Sequence, residues 1–460
     1  MNSIFRKKSI ADTLAGAKKN PLKKTLGAFD LIMLGVGCTI GTGIFVLTGI
    51  AAAKYAGPAI SISFVLAGLA CLFAALAYTE LAAMVPVAGS AYTYSYVVLG
   101  EIIAWIVAWG LILEYTVAAS TVSAGWSGYF VGILETGGVH FPQSLAKSPF
   151  EGGIVNLPAV MIALFIGFLL IRGTKESIVA NRILVGVKLT VIFIFLYLSA
   201  PMIKMENYAE FFPFGWEGVG VGAAAIFFAY LGFDAVATTA EECKNPNRDL
   251  PIGIMGGLFV CAVLYVLVSL ALTGITHYSL LNSPEPIALA LRLNGSNVGS
   301  ALVGTGAVVG MVAVLLVLMY GQSRIFFVMS RDGLIPAFFS KLHKKYETPY
   351  IGLLFITLSV AVISGFTPIH IMGNMSSLGI LFAFVVVSIG VIVLRVKNPE
   401  LKRPFRCPAV FIVAPIAIVS CGYLMYNLLL KTGAPFFIWF GLGFIAYIFV
   451  YRRSPLGKKK

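Results

Sequence analysis

From residue 27 to residue 451 the chain is a close succession of apolar runs about twenty residues long. A helix of that length matches the hydrocarbon thickness of a bilayer, about 30 Å. Twelve such runs are expected as helices, at 27–54, 58–84, 100–134, 154–172, 178–203, 217–242, 251–275, 298–329, 350–366, 369–394, 408–430 and 433–451. Composition agrees: 59% of the residues are hydrophobic and 11% charged, against roughly 45–50% and 25% in soluble domains. The chain reads as an all-α polytopic membrane protein with 12 transmembrane helices.

A net charge of +14 would suggest nucleic acid in a soluble protein. Here its distribution matters more. With twelve spans, 27 of the 33 Lys and Arg fall in the two tails and in alternate loops, and five (Lys54, Lys147, Lys204, Arg292, Lys431) fall on the other side. The positive-inside rule then makes both termini cytoplasmic, and no nucleic-acid partner is expected. No cleavable signal peptide is apparent, because polar and basic residues fill the first 25 positions. Cys38, Cys71, Cys261 and Cys421 fall in spans and Cys243 and Cys407 in cytoplasmic loops, so no disulfide is expected.

Two spans carry a break at their centre. The first contains "GVGCTIGTGIF" (35–45), although each interior Gly costs a helix about 1 kcal/mol relative to Ala. Unwound backbone at Gly41–Thr42–Gly43 would present orphan N–H groups at the start of the outer half-helix, suited to a carboxylate. Close helix packing through small residues is the other reading. The sixth span contains "FFAYLGFDAV" (227–236). Carbonyls of Phe227, Phe228, Ala229 and Leu231, freed there, would accept from an ammonium; Phe227 is the better candidate for core contact. Donors for a carboxylate beside acceptors for an amine describe an α-amino acid. The breaks lie five spans apart, so their helices run in opposite directions, which points to two inverted five-helix repeats.

Lys188 lies midway along the fifth span with about ten apolar residues on either side. A central Lys costs about 2.5–3.5 kcal/mol on insertion, and the interface is too far for snorkelling. It is read as functional, bridging backbone carbonyls of neighbouring helices and carrying a proton. Glu114 and Asp234 are the other deep charges, each open to pairing with Lys188, to receiving a cationic substrate side chain, or to a structural hydrogen bond at a helix end. Asp30, Glu80, Glu101 and Glu217 lie near span ends and are assigned to the solvated interface. "SPEPIALALRL" (283–293) is expected as a short amphipathic helix on the outer face. The four histidines fall in loops or at span ends, and no HExxH, GxSxG or P-loop pattern occurs, so no enzyme activity and no cofactor or metal are expected.

Four stretches in order, "GCTIGTGIF" (37–45), "PVAGSAYTYSY" (86–96), "FFAYLGFDAVATTAEECKNPNRDLPIGI" (227–254) and "SRIFFVMSRDGLIP" (323–336), resemble the amino acid–polyamine–organocation (APC) superfamily, and within it the bacterial branch of the cationic amino acid transporter family. The resemblance runs from about 25 to 450. It implies a LeuT-type 5+5 inverted repeat plus two additional helices, with helices 1 and 6 discontinuous: a basic tail (1–26), repeats at 27–203 and 204–394, helices 11 and 12 at 395–451, and a basic tail at 452–460. It further implies secondary transport by alternating access in a bacterial inner (cytoplasmic) membrane; with no cysteine on the outer side, no obligate disulfide-linked partner is expected, and a monomer is compatible with the sequence.

Carried over residue by residue, Ile40, Gly41, Thr42 and Gly43 look like the carboxylate-binding loop, and Phe228, Ala229 and Leu231 like the amine-binding segment, Phe228 also acting as a gate. Lys188 matches a fifth-helix lysine that stands where other members hold sodium. Glu114 and Asp234 match acidic positions implicated in proton coupling or in receiving a basic side chain. Leu318 falls in the side-chain pocket, where arginine-carrying animal members have a smaller residue. The implied activity is proton-coupled symport of an L-amino acid, small and neutral such as alanine, with a broader or cationic range, a gradient-independent exchanger or an amino acid sensor as alternatives.

Overall fold

The structure is a computed structural model and describes residues 6–9, 24–86, 89–173 and 178–453. Of the tail cations, Lys18, Lys19, Lys23 and Lys458–Lys460 lie outside the described residues, as does Lys175. The described chain is helical; its β pairing is one isolated bridge, Leu26 to Cys243. In chain order the α-helices are α1 (Ala28–Thr39), α2 (Thr48–Ala51), α3 (Ile60–Met84), α4 (Ser90–Val98), α5 (Glu101–Thr136), α6 (Leu157–Arg172), α7 (Ile178–Ser199), α8 (Gly215–Ile226), α9 (Phe233–Thr238), α10 (Pro246–Ile275), α11 (Pro286–Leu293), α12 (Asn297–Arg331), α13 (Tyr350–Phe366), α14 (Ile369–Lys397) and α15 (Val410–Arg453).

Among the described residues, eight stretches are long and apolar enough to cross a membrane. One of them, Gly43–Met84, passes through the kink at Gly57–Pro58, and another, Val410–Phe449, through non-helical backbone at Thr432 (φ −134°, ψ 24°). Three shorter apolar helices, α1, α6 and α13, complete the set. Every expected run falls on helix. One boundary moves by a turn: α10 begins at Pro246, not at Pro251. Proline is tolerated at a first turn because its missing N–H has no partner there. Pro251 sits five residues further on, and the bond it forfeits would have gone to the carbonyl of exposed Asn247.

The first and sixth runs lie antiparallel. At one end the N–H groups of Thr25 and Leu26 donate to the Glu242 carbonyl (2.9 and 3.1 Å) and that of Lys244 donates to the Leu26 carbonyl (2.9 Å). At the other end the Ala59 N–H donates to the Phe211 carbonyl (3.1 Å). Around this pair α10 packs on α1 and α3, while α5 packs on α12 and α14. The outer helix expected at 283–293 is α11, whose Glu285 binds Arg292 (2.5 Å).

Glu80 and Glu101 correct the interfacial assignment, whereas Glu217 is exposed as expected. Glu80 is fully buried and accepts from Arg395 Nε and Nη2 (2.8 and 2.7 Å), Arg403 Nε (3.1 Å) and the Cys407 N–H (2.8 Å). Glu101 accepts from the Tyr96 hydroxyl (3.0 Å) and lies 4.0 Å from Arg6. Asp30 pairs with Arg182 and accepts from the Gly27 N–H (3.1 Å). Breaking a buried ion pair from one side costs about 3–5 kcal/mol, because the partner charge is left uncompensated. The Arg403 side chain is only 1% exposed, so Glu80→Gln lowers the thermal unfolding midpoint of the purified protein by several degrees; an unchanged midpoint refutes this.

Candidate functional site

The two sequence breaks meet. α1 ends at Thr39, Ile40 turns extended (φ −76°, ψ 103°), and helix resumes as a wide π turn at Gly43–Leu47. α8 ends at Ile226 and passes through a 3-10 turn, Phe227–Tyr230, into extended Leu231 and then Gly232 at φ +115°, before α9 begins. Gly232 is required twice over. Its φ is left-handed, and a Cβ there would press on the Cys38 backbone and side chain. Gly43 has the reciprocal constraint: a Cβ would run into the Ala229 backbone.

The last carbonyls of α1 have no helical partner of their own. Two are satisfied from outside. Lys188 Nζ on α7 donates to the Gly37 carbonyl (2.6 Å), and its side chain is fully buried, with its methylenes against Gly310 of α12. A cation at a helix C-terminus is favoured by the helix dipole as well as by the hydrogen bond. The Tyr265 hydroxyl on α10 lies within hydrogen-bond reach of both the Thr39 (2.9 Å) and the Ala229 (2.8 Å) carbonyls, linking the two breaks. Sequence reasoning missed Tyr265. Its signal was a tyrosine inside an apolar run, whose hydroxyl must find a partner when buried.

Tyr265 changes the reading of the amine-binding carbonyls. That of Ala229 is already shared with Tyr265, and that of Phe228 accepts from the Leu231 N–H (3.2 Å). Each retains a second lone pair. Phe228, Ala229 and Leu231 are all buried at the break, and Phe227 packs edge-on against Phe384 in the core, as expected of it. Tyr230 turns away, donating to the Phe64 carbonyl of α3 (2.8 Å).

α12 closes the site from another side. The Thr42 hydroxyl contacts Met311 Sδ (3.2 Å), and Gly41 faces Val314. Leu318, buried, continues that helical stripe one turn on. Met311 and Val314 were not foreseen, since apolar residues at helical spacing carry no mark of which face meets the break.

Glu114 and Asp234 do not pair with Lys188. Asp234 lies in the first turn of α9 and accepts from the Tyr115 hydroxyl (2.9 Å). Glu114 is 3% exposed, and its Oε2 has no hydrogen-bond partner among the described residues. An orphaned buried carboxyl oxygen is costly unless it is protonated or reserved for a ligand. Among the described residues no group of three or more His, Cys, Asp or Glu is placed to hold a metal.

Access differs between the two ends. The Lys8 ammonium binds Asp332 (2.5 Å), which also accepts from the Tyr92 hydroxyl (2.7 Å), and the Glu101 N–H donates to the Arg6 carbonyl (3.0 Å). Residues 6–8 thus fasten α4, α5 and α12 together. At the opposite end an open cavity of about 540 Å³ is lined in part by Ile50 and Ala124. Ala124 precedes Gly125, which abuts the Thr42 side chain.

A family model described as amino acid permease matches residues 26–451. The chain belongs to the amino acid permease family of the APC superfamily. The permease is 44% identical to a methylthioribose transporter of Bacillus subtilis (strain 168) over 461 residues, covering 100% of both chains. It is 46% identical to the branched-chain amino acid permease BcaP of the same organism, covering 98% of each. Against the vacuolar cationic amino acid transporter 4 of Arabidopsis thaliana it is 38% identical, covering 87% of the permease and 68% of that protein. These relatives are named as transporters and permeases, and the chain belongs to a family of multi-pass membrane transporters.

Proposed function

We propose that the permease imports neutral L-amino acids across a bacterial cytoplasmic membrane by proton-coupled symport. The meeting of the two broken helices carries this reading. Ile40–Gly43 supplies N–H groups for the substrate carboxylate, and Phe228, Ala229 and Leu231 supply carbonyls for its ammonium. Leu318, Glu114 and Asp234 line the side-chain pocket, and Phe228 gates it. Two inverted repeats, 27–203 and 204–394, rock about this centre to alternate access, with 395–451 added as two further helices and both termini cytoplasmic. Glu114 and Lys188 carry the proton coupling.

One feature supports a neutral substrate. Leu318 and Val314 make the α12 side of the site apolar. A relative named as a branched-chain amino acid permease agrees with an aliphatic side chain. A second reading comes from the relative named as a methylthioribose transporter. That solute has no carboxylate or ammonium, so it would leave both breaks unused.

Thermal unfolding of the purified permease with L-alanine, L-isoleucine, L-arginine or methylthioribose, at two pH values, tests this. A ligand at 100 times its Kd stabilises by about 2.7 kcal/mol. L-alanine or L-isoleucine is expected to raise the midpoint and L-arginine to leave it unchanged; a shift with methylthioribose alone overturns the proposal. Counterflow in proteoliposomes, with and without a pH gradient, separates symport from exchange.

A further inference from the structure

At the end of the molecule that carries residues 6–9, the loop joining α14 to α15 walls an open cavity of about 660 Å³ together with Asn247 at the start of α10. The loop is ordered from within by Arg403. Besides Glu80, that guanidinium donates to the carbonyls of Pro399 (2.9 Å), Leu401 (2.8 Å), Asn398 (2.8 Å) and Leu394 (3.3 Å). A guanidinium so engaged has no donor left for a ligand. It acts as a staple.

Its neighbours are different. Lys402 and Arg406 line the same cavity, are exposed, and make no side-chain ion pair or hydrogen bond among the described residues. Lys397 is exposed at the end of α14, and its charge, after burial, lowers the pKa of Lys7 nearby. Glu400 is the one carboxylate lining the cavity. The chain flanking this loop on either side exposes apolar residues: Val396, Phe411 and Ile412 are 65%, 63% and 62% exposed. Cations directly next to exposed hydrocarbon mark the level at which lipid headgroups lie. The positive-inside rule asks for cations on this side of the membrane, but not for their convergence on one preformed cavity.

The geometry points to a binding site for the phosphate-bearing headgroup of an anionic phospholipid, held by Lys402 and Arg406, with its acyl chains over Phe411 and Ile412. The site faces the bilayer rather than the transported solute and stands apart from the transport reading. Arg403 and Glu80 hold the loop in shape, and Lys402 and Arg406 supply the charge.

The test places the full chain in nanodiscs of phosphatidylcholine, with and without phosphatidylglycerol, and reads lipid retention by native mass spectrometry and unfolding by heat. Wild type is expected to retain phosphatidylglycerol selectively and to unfold at a higher temperature when it is present. The double variant Lys402→Gln, Arg406→Gln is expected to lose one retained phosphatidylglycerol and to bind it on the order of tenfold more weakly. Lys402→Arg should keep both properties, and all variants should unfold alike in phosphatidylcholine alone. Unchanged retention in the double variant overturns the site. So does a full thermal shift from inorganic phosphate in phosphatidylcholine discs, which would assign the cavity to a free anion.

Discussion

Lys188→Ala abolishes accumulation of substrate driven by an inward proton gradient. In the structure this ammonium is fully buried, and its one hydrogen-bond partner among the described residues is the Gly37 carbonyl, at 2.6 Å. A charge taken out of water is tolerated only where a compensating dipole is fixed in place. The free carbonyl end of α1 is such a dipole. Protonated Lys188 therefore ties α7 to the inner half of the first run, just before its break. In the proposed mechanism, loss of the proton weakens that tie and lets α1 move. Coupling requires proton and substrate to favour the same state, and the proposal has both act on residues 37–43. Alanine removes the titrating group and leaves the Gly37 carbonyl unpaired. The measurement is substrate uptake into proteoliposomes with an imposed pH difference, which should fall to background. Normal accumulation by the variant would sink the coupling role of Lys188.

Gly43→Val removes substrate binding. Any Cβ at this position meets the Ala229 Cα, Cβ and N, which are backbone or short side-chain atoms that cannot swing aside. The first and sixth runs must separate at the level of their breaks, which displaces the N–H groups of 41–43 and the carbonyls of 228–231 together. Overpacking of this kind costs about 1–3 kcal/mol in stability, small enough for a chain with so extensive a buried core to stay folded. The ligand-induced thermal shift should vanish while the variant remains monodisperse and helical. Gly422→Ala supplies the control, since a Cβ there meets nothing within 4 Å. A saturable shift of normal size in Gly43→Val would mean that Gly43 serves packing alone.

For Gly43 the two readings of the glycine run converge. Close packing against Ala229 is what brings the proposed carboxylate half and the proposed amine half within reach of one small solute. Read in isolation, "GTG" left packing and binding as rivals, because a glycine records only that something comes near. What comes near is the other break.

Other residues divide along similar lines. The helices were legible because burial in a membrane demands about twenty apolar residues per crossing, a condition written locally. Lys188 was legible because a charge among apolar residues has few explanations. Glu80 was misassigned to solvent for a corresponding reason: its arginine partners, Arg395 and Arg403, are more than 300 residues away. Nothing near Glu80 in sequence reports them. Asp234 and Lys188, both deep and opposite in charge, invited pairing, yet Tyr115 takes Asp234 and Gly37 takes Lys188.

By itself, the sequence determined that this chain is a helical membrane protein with two interrupted helices five apart and a lysine buried between them. Hydropathy and helix-breaking residues act over a turn or two, so such features survive without a fold. Only the tertiary structure decided that the two breaks touch, that Tyr265 already occupies part of the expected amine site, and that α12 presents Met311, Val314 and Leu318 to it. Those facts depend on which faces of distant helices meet. Hydrogen-bond valence and close approach, unlike hydropathy, become defined only when the chain has closed on itself.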